Sequence, residues 1–393
     1  MSMINKTVLG KIALISSGGT PSRVKPEYWN GKIPWVKTTQ IQNCIINEDN
    51  VDEWITEEGL NKSSAKMVPA GTILLGMIGQ GKTRGQVGYL NFEACTNQNA
   101  ATIRCLDCCN SHFLFQYLLF NYDNIRALSN SSGQGNLNIG LVGIIPVLIP
   151  PLPEQKAIAN LLSTWDEAIE KIERLIQAKE KRLKGTIQRL ITKRCDEWTH
   201  IKPKKIFDTI TEKNFPDEEL LSVTQDCGVI PRNMLKGRVM SPNGTTANYK
   251  LIKCGDFSIS LRSFQGGIEY SNYQGIISPA YTVLRPKMDI NTEFYRLFFK
   301  SYIFIEKYLT LAVIGIRDGK QISIPDFLSI KIPVPPLPEQ QQIAETLYTA
   351  QQEIDLLKQL AEKYKTQKRG LMQKMLTGNW RVKPEILNKY KER

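Results

Sequence analysis

The chain has 393 residues, 41% of them hydrophobic, and a formal net charge of +13. That length predicts two or three domains with real cores, and no run of about eighteen apolar residues offers a membrane span. Eight cysteines in so long a chain, and an N-terminus "MSMINKTVLGKIALISSGGTP" without a signal-peptide layout, predict a cytoplasmic protein with no disulfide framework. The basic excess runs along the chain rather than sitting in one tail, which suits a long surface facing a polyanion, nucleic acid first.

In chain order, the first conspicuous stretch is "LLGMIGQGKT" (Leu74 to Thr83), which reads G-x-x-x-x-G-K-T from Gly76. In a phosphate-binding loop the lysine and threonine open a helix whose amide groups cradle the phosphates. Here "RGQVGYLNFEAC" follows, with Gly85 and Gly88 in what would be the first turn and a half, and no acidic strand end suits magnesium. The expectation is a strand followed by a glycine-rich turn. Next come Cys105, Cys108, Cys109 and His112, with Cys95 nearby. Thiolates and an imidazole at short spacing suit tetrahedral zinc. However, "IRCLDCCNSHFLFQYLLF" reads as a strand end and a helix start, and the second half has no matching group, so ordinary thiols are expected.

From Pro150, "PPLPEQKAIANLLSTWDEAIEKIERLIQAKEKRLKGTIQRLIT" predicts a long helix. Its prolines close the preceding segment and fit a first turn, and Glu154 places negative charge at the positive helix end. Apolar residues recur at Ile158, Leu162, Trp165, Ile169, Ile172, Ile176, Leu183 and Leu190, a heptad seam. From Pro335 the chain repeats itself: "PPLPEQQQIAETLYTAQQEIDLLKQLAEKYKTQKRGLMQKMLT" aligns without a gap as far as Thr192 and Thr377. Its seam is Ile343, Leu347, Ala350, Ile354, Leu357, Ala361, Tyr364, Leu371 and Met375, with Glu339 in the first turn. Lys179 and Lys368 interrupt the two seams, either snorkelling or setting register. About forty residues make a rod of roughly 60 Å. Two seams in one chain most simply pair with each other, antiparallel if the halves are related by a pseudo-twofold axis.

The repeat extends into the segments before the helices. "LGKIALI" echoes "IFDTITE", "WVKTTQI" echoes "LSVTQDC", "PAGTILLGM" echoes "KCGDFSISL", "NQNAATI" echoes "SPAYTVL", and "GQGNLNI" echoes "RDGKQISI". Each module is thus a globular domain of short β-runs with a helix near its end ("SHFLFQYLLFNYDNIRALS", "NTEFYRLFFKSYIFIEKYLTL"), followed by the long helix. The predicted fold class is α+β: two mixed α/β domains, 1–150 and 195–335, separated by two long antiparallel helices, 151–194 and 336–378, with a basic tail at 379–393. With only His112 and His200, metal–histidine clusters and most Ser–His arrangements are excluded. No N-P-P-[YF] methyltransferase tetrapeptide occurs, nor a convincing G-x-G-x-x-G after a strand. The chain reads as a binding protein, with a coiled-coil protein-interaction scaffold as the alternative.

This duplicated arrangement of variable domain, "PPLPEQ" and long helix resembles the specificity subunit of Type I restriction-modification enzymes. The opening "ISSGGTPSRVKPEYWNGKIPWVKTTQI" is similar to the G-x-T-P…YW-x-G-x-I-P-W start of many recognition domains of that family, and "LLSVTQDCGVIPR" with "GIISPAYTVLRP" looks like another variety. The resemblance covers essentially the whole chain. It implies two target recognition domains, each binding half of a bipartite, asymmetric double-stranded DNA sequence, with the helices as spacer. It implies no catalysis and no cofactor on this chain. Two modification subunits would use S-adenosylmethionine to methylate adenine, and restriction subunits would use ATP and magnesium.

Direct readout needs forked or amide side chains at base edges, with basic and hydroxyl groups on phosphates. Polar residues where the two scaffolds echo are the candidates. In the first domain they are Lys37, Thr38, Thr39, Gln40, Lys82, Thr83, Arg84, Gln98 and Asn99. In the second they are Thr224, Gln225, Arg232, Arg238, Arg262, Gln265, Tyr281, Arg317 and Lys320. Each is equally open to a structural or solvated role. Trp29 and Trp35 read as core rather than stacking platforms.

Overall fold

The computed structural model describes residues 4–79, 81–131, 135–235, 246–260, 266–315 and 321–390. Two compact units emerge: residues 1–173 with 360–393, and residues 174–359.

In the first unit, short, largely apolar runs form a five-stranded sheet in the order Ala13–Ser17, Ala100–Cys105, Ile73–Gly76, Val87–Leu90 and Cys44–Ile46. A smaller sheet pairs Glu53–Ile55, Trp29–Val36 and Cys95–Thr96. Ile73, Leu75, Val87, Ala101 and Ile103 meet Phe113, Leu114 and Leu118 of the helix Ser111–Phe120 in one core. The second unit keeps the scaffold. Phe207–Ile210, Tyr281–Pro286, Phe257–Ser260 and Glu269–Tyr270 lie in the order of the first four strands of the first unit's sheet. They pack on Phe294, Phe298 and Phe299 of the helix Thr292–Lys300. The echoes "LGKIALI" with "IFDTITE", "PAGTILLGM" with "KCGDFSISL", and "NQNAATI" with "SPAYTVL" therefore fall on equivalent strands.

The duplicated motif forms the long helices Leu152–Ile187 and Leu337–Leu376, each with the motif's third proline, Pro153 or Pro338, in the first turn. Both contribute to both units, and within each unit they run antiparallel. In the first unit Trp165 meets Tyr364 edge-on at 5.3 Å, while Glu173 pairs with Lys365 at 2.8 Å and Asp166 with Lys368 at 2.5 Å. In the second, Lys179 pairs with Glu353 at 2.6 Å and Glu180 with Lys358 at 2.7 Å. Both lysines that interrupt the seam thus reach a carboxylate on the other helix. The alignment matches Glu173 to Lys358 and Glu180 to Lys365, so one cross-helix ion pair recurs in each unit with its charges exchanged. Ile158, Leu162, Ile169, Ile176, Ile343, Leu347, Ile354, Ala361 and Met375 are buried. Trp165, Ile172, Leu183, Leu190, Leu357, Tyr364 and Leu371 are half-buried along the same faces. A stripe of that width is what a pairing helix presents.

The "EQ" of the repeated motif fastens each long helix to its own unit. Glu154 is almost fully buried and accepts from Arg381 (Nε at 2.8 Å, a second nitrogen at 2.6 Å) and from the Val382 amide at 3.1 Å. Glu339 does the same work with Arg194 at 2.6 Å and the Trp198 indole at 3.2 Å. Each arginine lies just beyond the end of the opposite long helix. Gln155 Oε1 accepts from the Asn110 amide at 2.8 Å, and Gln340 Oε1 from the Asn291 amide at 2.8 Å. Asn110 and Asn291 in turn cap the helices that cover the sheets, through Phe113 and Phe294.

Candidate nucleic-acid interface

Strand direction gathers the candidates of the first unit. Ser17, Val36, Gly76 and Thr96 end their strands, and Val87 and Ala100 begin theirs, at one edge of the paired sheets. The segments 18–20, 37–40, 77–86 and 97–99 all leave from that edge. Lys37, Thr38, Thr39, Gln40, Lys82, Thr83, Arg84, Gln98 and Asn99 are therefore brought together, though they come from three separate parts of the sequence.

Their surroundings divide them. Thr38 is buried, and its hydroxyl donates to Asn97 Oδ1 at 2.6 Å. Asn97 Oδ1 also accepts from the Asn99 amide at 3.2 Å, so both residues shape the turn. Gln40 Oε1 caps the Lys37 amide at 2.8 Å, and its amide nitrogen donates to the Asn50 carbonyl. Lys37 Nζ lies 3.1 Å from Asp52 and 3.3 Å from Glu53. The hydrogen bond to Asp52 raises its pKa above the usual lysine value, keeping the ammonium charged but neutralised. Arg84 is buried and donates to the Gly135 carbonyl. Thr39, Lys82 and Gln98 are exposed and Thr83 half-buried, and Gln98 Oε1 accepts from Thr20 at 2.5 Å. A side chain at Gly18 would strike the Thr96 carbonyl oxygen at 2.1 Å, which explains the first glycine of "SGGTP".

The lysine and threonine of "GQGKT" sit in a hairpin turn. Ile73–Gly76 pairs antiparallel with Val87–Leu90, Gly76 N–H donates to Gln86 at 2.9 Å, and Gly85 N–H donates to Gly76 at 2.8 Å. The element after the turn is a strand, so the backbone lacks the helix start that would hold phosphates. Burial pushes the Cys95 thiol up to about 11, and a hydrogen bond shared with Cys105 together with burial raises Cys109 further. His112 stacks on Tyr89 at 4.1 Å. Among the described residues, no group of three or more His, Cys, Asp or Glu could hold an ion.

Next to this edge, the Arg23 guanidinium lies 3.7 Å above the Trp29 ring and pairs with Glu53 at 2.6 Å. Trp35 is buried and donates to the Gly19 carbonyl at 2.9 Å, while Trp29 meets it edge-on at 5.2 Å. Trp35 is core, as expected, and Trp29 carries an arginine on its face. Arg23, Thr20 and Asn97 belong to the edge, yet sequence reasoning did not single them out.

The second unit repeats the turn with other side chains. Ser278 O accepts from the Tyr281 amide at 3.1 Å as Asn97 O accepts from Ala100 at 3.3 Å. Ser278 Oγ accepts from the Ala280 amide at 3.4 Å, where Asn97 Oδ1 serves Asn99. Tyr281 opens its strand opposite Ser260, and its carbonyl accepts from Lys250 at 2.6 Å. Thr224 closes the hairpin of Leu221–Thr224 and Gly228–Pro231, donating to Gly228 O at 3.0 Å and accepting from the Cys227 amide at 3.1 Å. Gln225 is exposed, and Arg232 is half-buried in the turn Arg232–Met234. Arg238, Arg262, Gln265, Arg317 and Lys320 lie outside the described residues.

Two units with one sheet order, one turn geometry and different polar side chains at the loop edge, carried on paired helices, define a duplicated binding protein. The sequence pattern of the Type I restriction modification DNA specificity domain matches residues 4–180 and again 196–365. The chain belongs to this family of Type I restriction-modification specificity subunits, whose catalytic partners are other subunits. It is 28% identical over 304 residues to the Type I restriction enzyme MjaVIII specificity subunit of Methanocaldococcus jannaschii, covering 69% of this chain and 70% of that one. It is also 28% identical over 290 residues to the putative MjaX specificity subunit of the same organism, covering 67% of this chain and 65% of the relative. The fold is similar to that of the S subunit of the Type I system of M. genitalium, with a TM-score of 0.58 at 18% identity over 95% of this chain and 96% of the other. No helix among the described residues is long and apolar enough to cross a membrane.

Proposed function

We propose that each unit reads one half of a bipartite, asymmetric double-stranded DNA target through its loop edge. In this reading the chain directs adenine methylation, or restriction, by partner subunits. The observation that carries the reading is the retained scaffold with changed edge residues: Asn97 against Ser278, and a Lys-Thr-Arg turn on one hairpin only. Two related readers of unlike surface suit an asymmetric sequence, and joining two weak readers raises affinity through effective concentration. Among the candidates, the exposed Thr39, Lys82, Gln98 and Gln225 are the contacts to phosphates and bases, while Thr38, Arg84, Gln40 and Thr224 hold the edges in shape. The partners are two modification subunits using S-adenosylmethionine and restriction subunits using ATP and magnesium, and this chain itself binds no cofactor.

The test is methylation sequencing of DNA from cells that express the chain with its cognate modification subunit. The expected result is a bipartite motif with one methylated adenine per half. The absence of any new motif, with both proteins folded and associated, leaves a protein-binding scaffold.

A further inference from the structure

In each unit, a glycine of the hairpin at the loop edge lies against a helix that follows the sheet. Gly85 has a φ of +86°, and a side chain there would meet Arg126 Cγ at 3.1 Å and Tyr122 Cδ2 at 3.6 Å. Both belong to the helix Tyr122–Ser131. Gly267 has a φ of +83°, and a side chain there would strike the Phe299 carbonyl oxygen at 2.1 Å, at the end of the helix Thr292–Lys300. Positive φ favours glycine at both points, and at Gly267 the backbone carbonyl of Phe299 leaves no room for a side chain.

Across each contact, helix side chains donate to turn carbonyls. Arg126 donates to the Gly81 carbonyl at 2.5 Å and to the Tyr122 hydroxyl at 2.9 Å, and that hydroxyl donates on to the Lys82 carbonyl at 2.6 Å. In the second unit, Lys300 donates to the Gly266 carbonyl at 2.8 Å and the Gln225 carbonyl at 2.9 Å. Its third proton goes to the buried Glu269 carboxylate. An ammonium has three protons, so Lys300 is fully used within the protein. The anchored carbonyls belong to Gly81 and Lys82 of one turn in the first unit, and in the second to Gln225 and Gly266, which lie on two neighbouring hairpins. The cations come from different helix positions in the two units, so one task is met by two local solutions.

We infer that Arg126 with Tyr122, and Lys300 with Glu269, are positioning residues for base readout. They hold the turn backbones by charge-assisted hydrogen bonds and so aim Lys82 and Gln225. The inference rests on the half-site reading proposed above. A glycine-rich turn has many backbone states, and a side chain on it discriminates bases only if one state dominates. Losing the anchor spreads the turn over several states. Base preference then falls in the half-site read by that unit alone.

The experiment uses the full chain with its modification subunit and sequences the methylated sites. Arg126→Met and Tyr122→Phe are expected to cut discrimination about tenfold or more at one or more positions of one half-site, the loss of one good base contact. The other half-site and the gap stay unchanged. Arg126→Lys, which retains a cationic donor, restores the preference. Lys300→Met combined with Glu269→Gln removes the ammonium without stranding a buried carboxylate, and relaxes the opposite half-site. Tyr122→Phe keeps the ring and carries the test if Arg126→Met does not fold. Unchanged motifs in folded variants overturn the positioning role. So does a uniform loss of affinity with a salt slope lower by about one, since that marks a direct phosphate contact. A wild-type chain that yields no bipartite motif overturns the half-site reading, and this inference with it.

Discussion

At the residue scale, Thr38 and Lys82 were equal candidates in the sequence, and their surroundings give them opposite roles. Thr38→Val would leave Asn97 Oδ1 without its hydroxyl donor at 2.6 Å. The Asn99 amide still serves that oxygen, so the loss is expected to cost roughly 0.5–1.5 kcal/mol, seen as a lower Tm. Lys82→Ala, at an exposed position, is expected to leave Tm unchanged. It should lower the salt slope of DNA binding by the full chain with its modification subunit by about one. Equal Tm values for both variants would contradict this division. His112 offers a pH test. Its burial against Tyr89 lowers its pKa below the ordinary value of 6.5. The unfolded chain therefore takes up the proton first, and the stability of this unit is complete above pH 6.5 and falls as pH drops below it. Thermal melts at pH 7.5 and 5.0 should show a larger drop for the wild type than for His112→Phe.

At the element scale, the long helices were the most legible part of the chain, because a heptad pattern states both an element and the face it buries. Ile354 is 1% exposed, whereas Leu356, two residues on, is 62% exposed. Ile354→Ala is expected to cost about 2–5 kcal/mol, while Leu356→Ala should fall within about 0.5 kcal/mol of the wild type. A melt in which both variants behave alike would refute the seam. The role of "PPLPEQ" was only half legible. Charge near the helix start was readable from the dipole, but Arg381 and Arg194 lie far from Glu154 and Glu339 along the chain. No local spacing announces a partner that antiparallel pairing brings to the helix start.

At the scale of the whole molecule, the proposed function makes the helices a ruler between the two readers. Removing one heptad from each long helix shortens it by about 10 Å, the length of about three base pairs. The preferred gap between half-sites should shrink accordingly in methylation sequencing, and an unaltered gap would remove the helices from that role. The sequence by itself determined the duplication, the long helices with their buried faces, the family, and the β-turn character of "GQGKT". All of these rest on periodicity, repetition or nearest neighbours along the chain, which a linear text records. The tertiary structure decided which polar residues face outward and which are consumed inside. It turned Thr38 toward Asn97, Arg84 toward Gly135, and Arg126 and Lys300 onto the carbonyls of distant turns. Those choices depend on strand order and on the helix laid across each sheet, because a hydrogen bond needs its two atoms within about 3 Å and only the fold sets that distance.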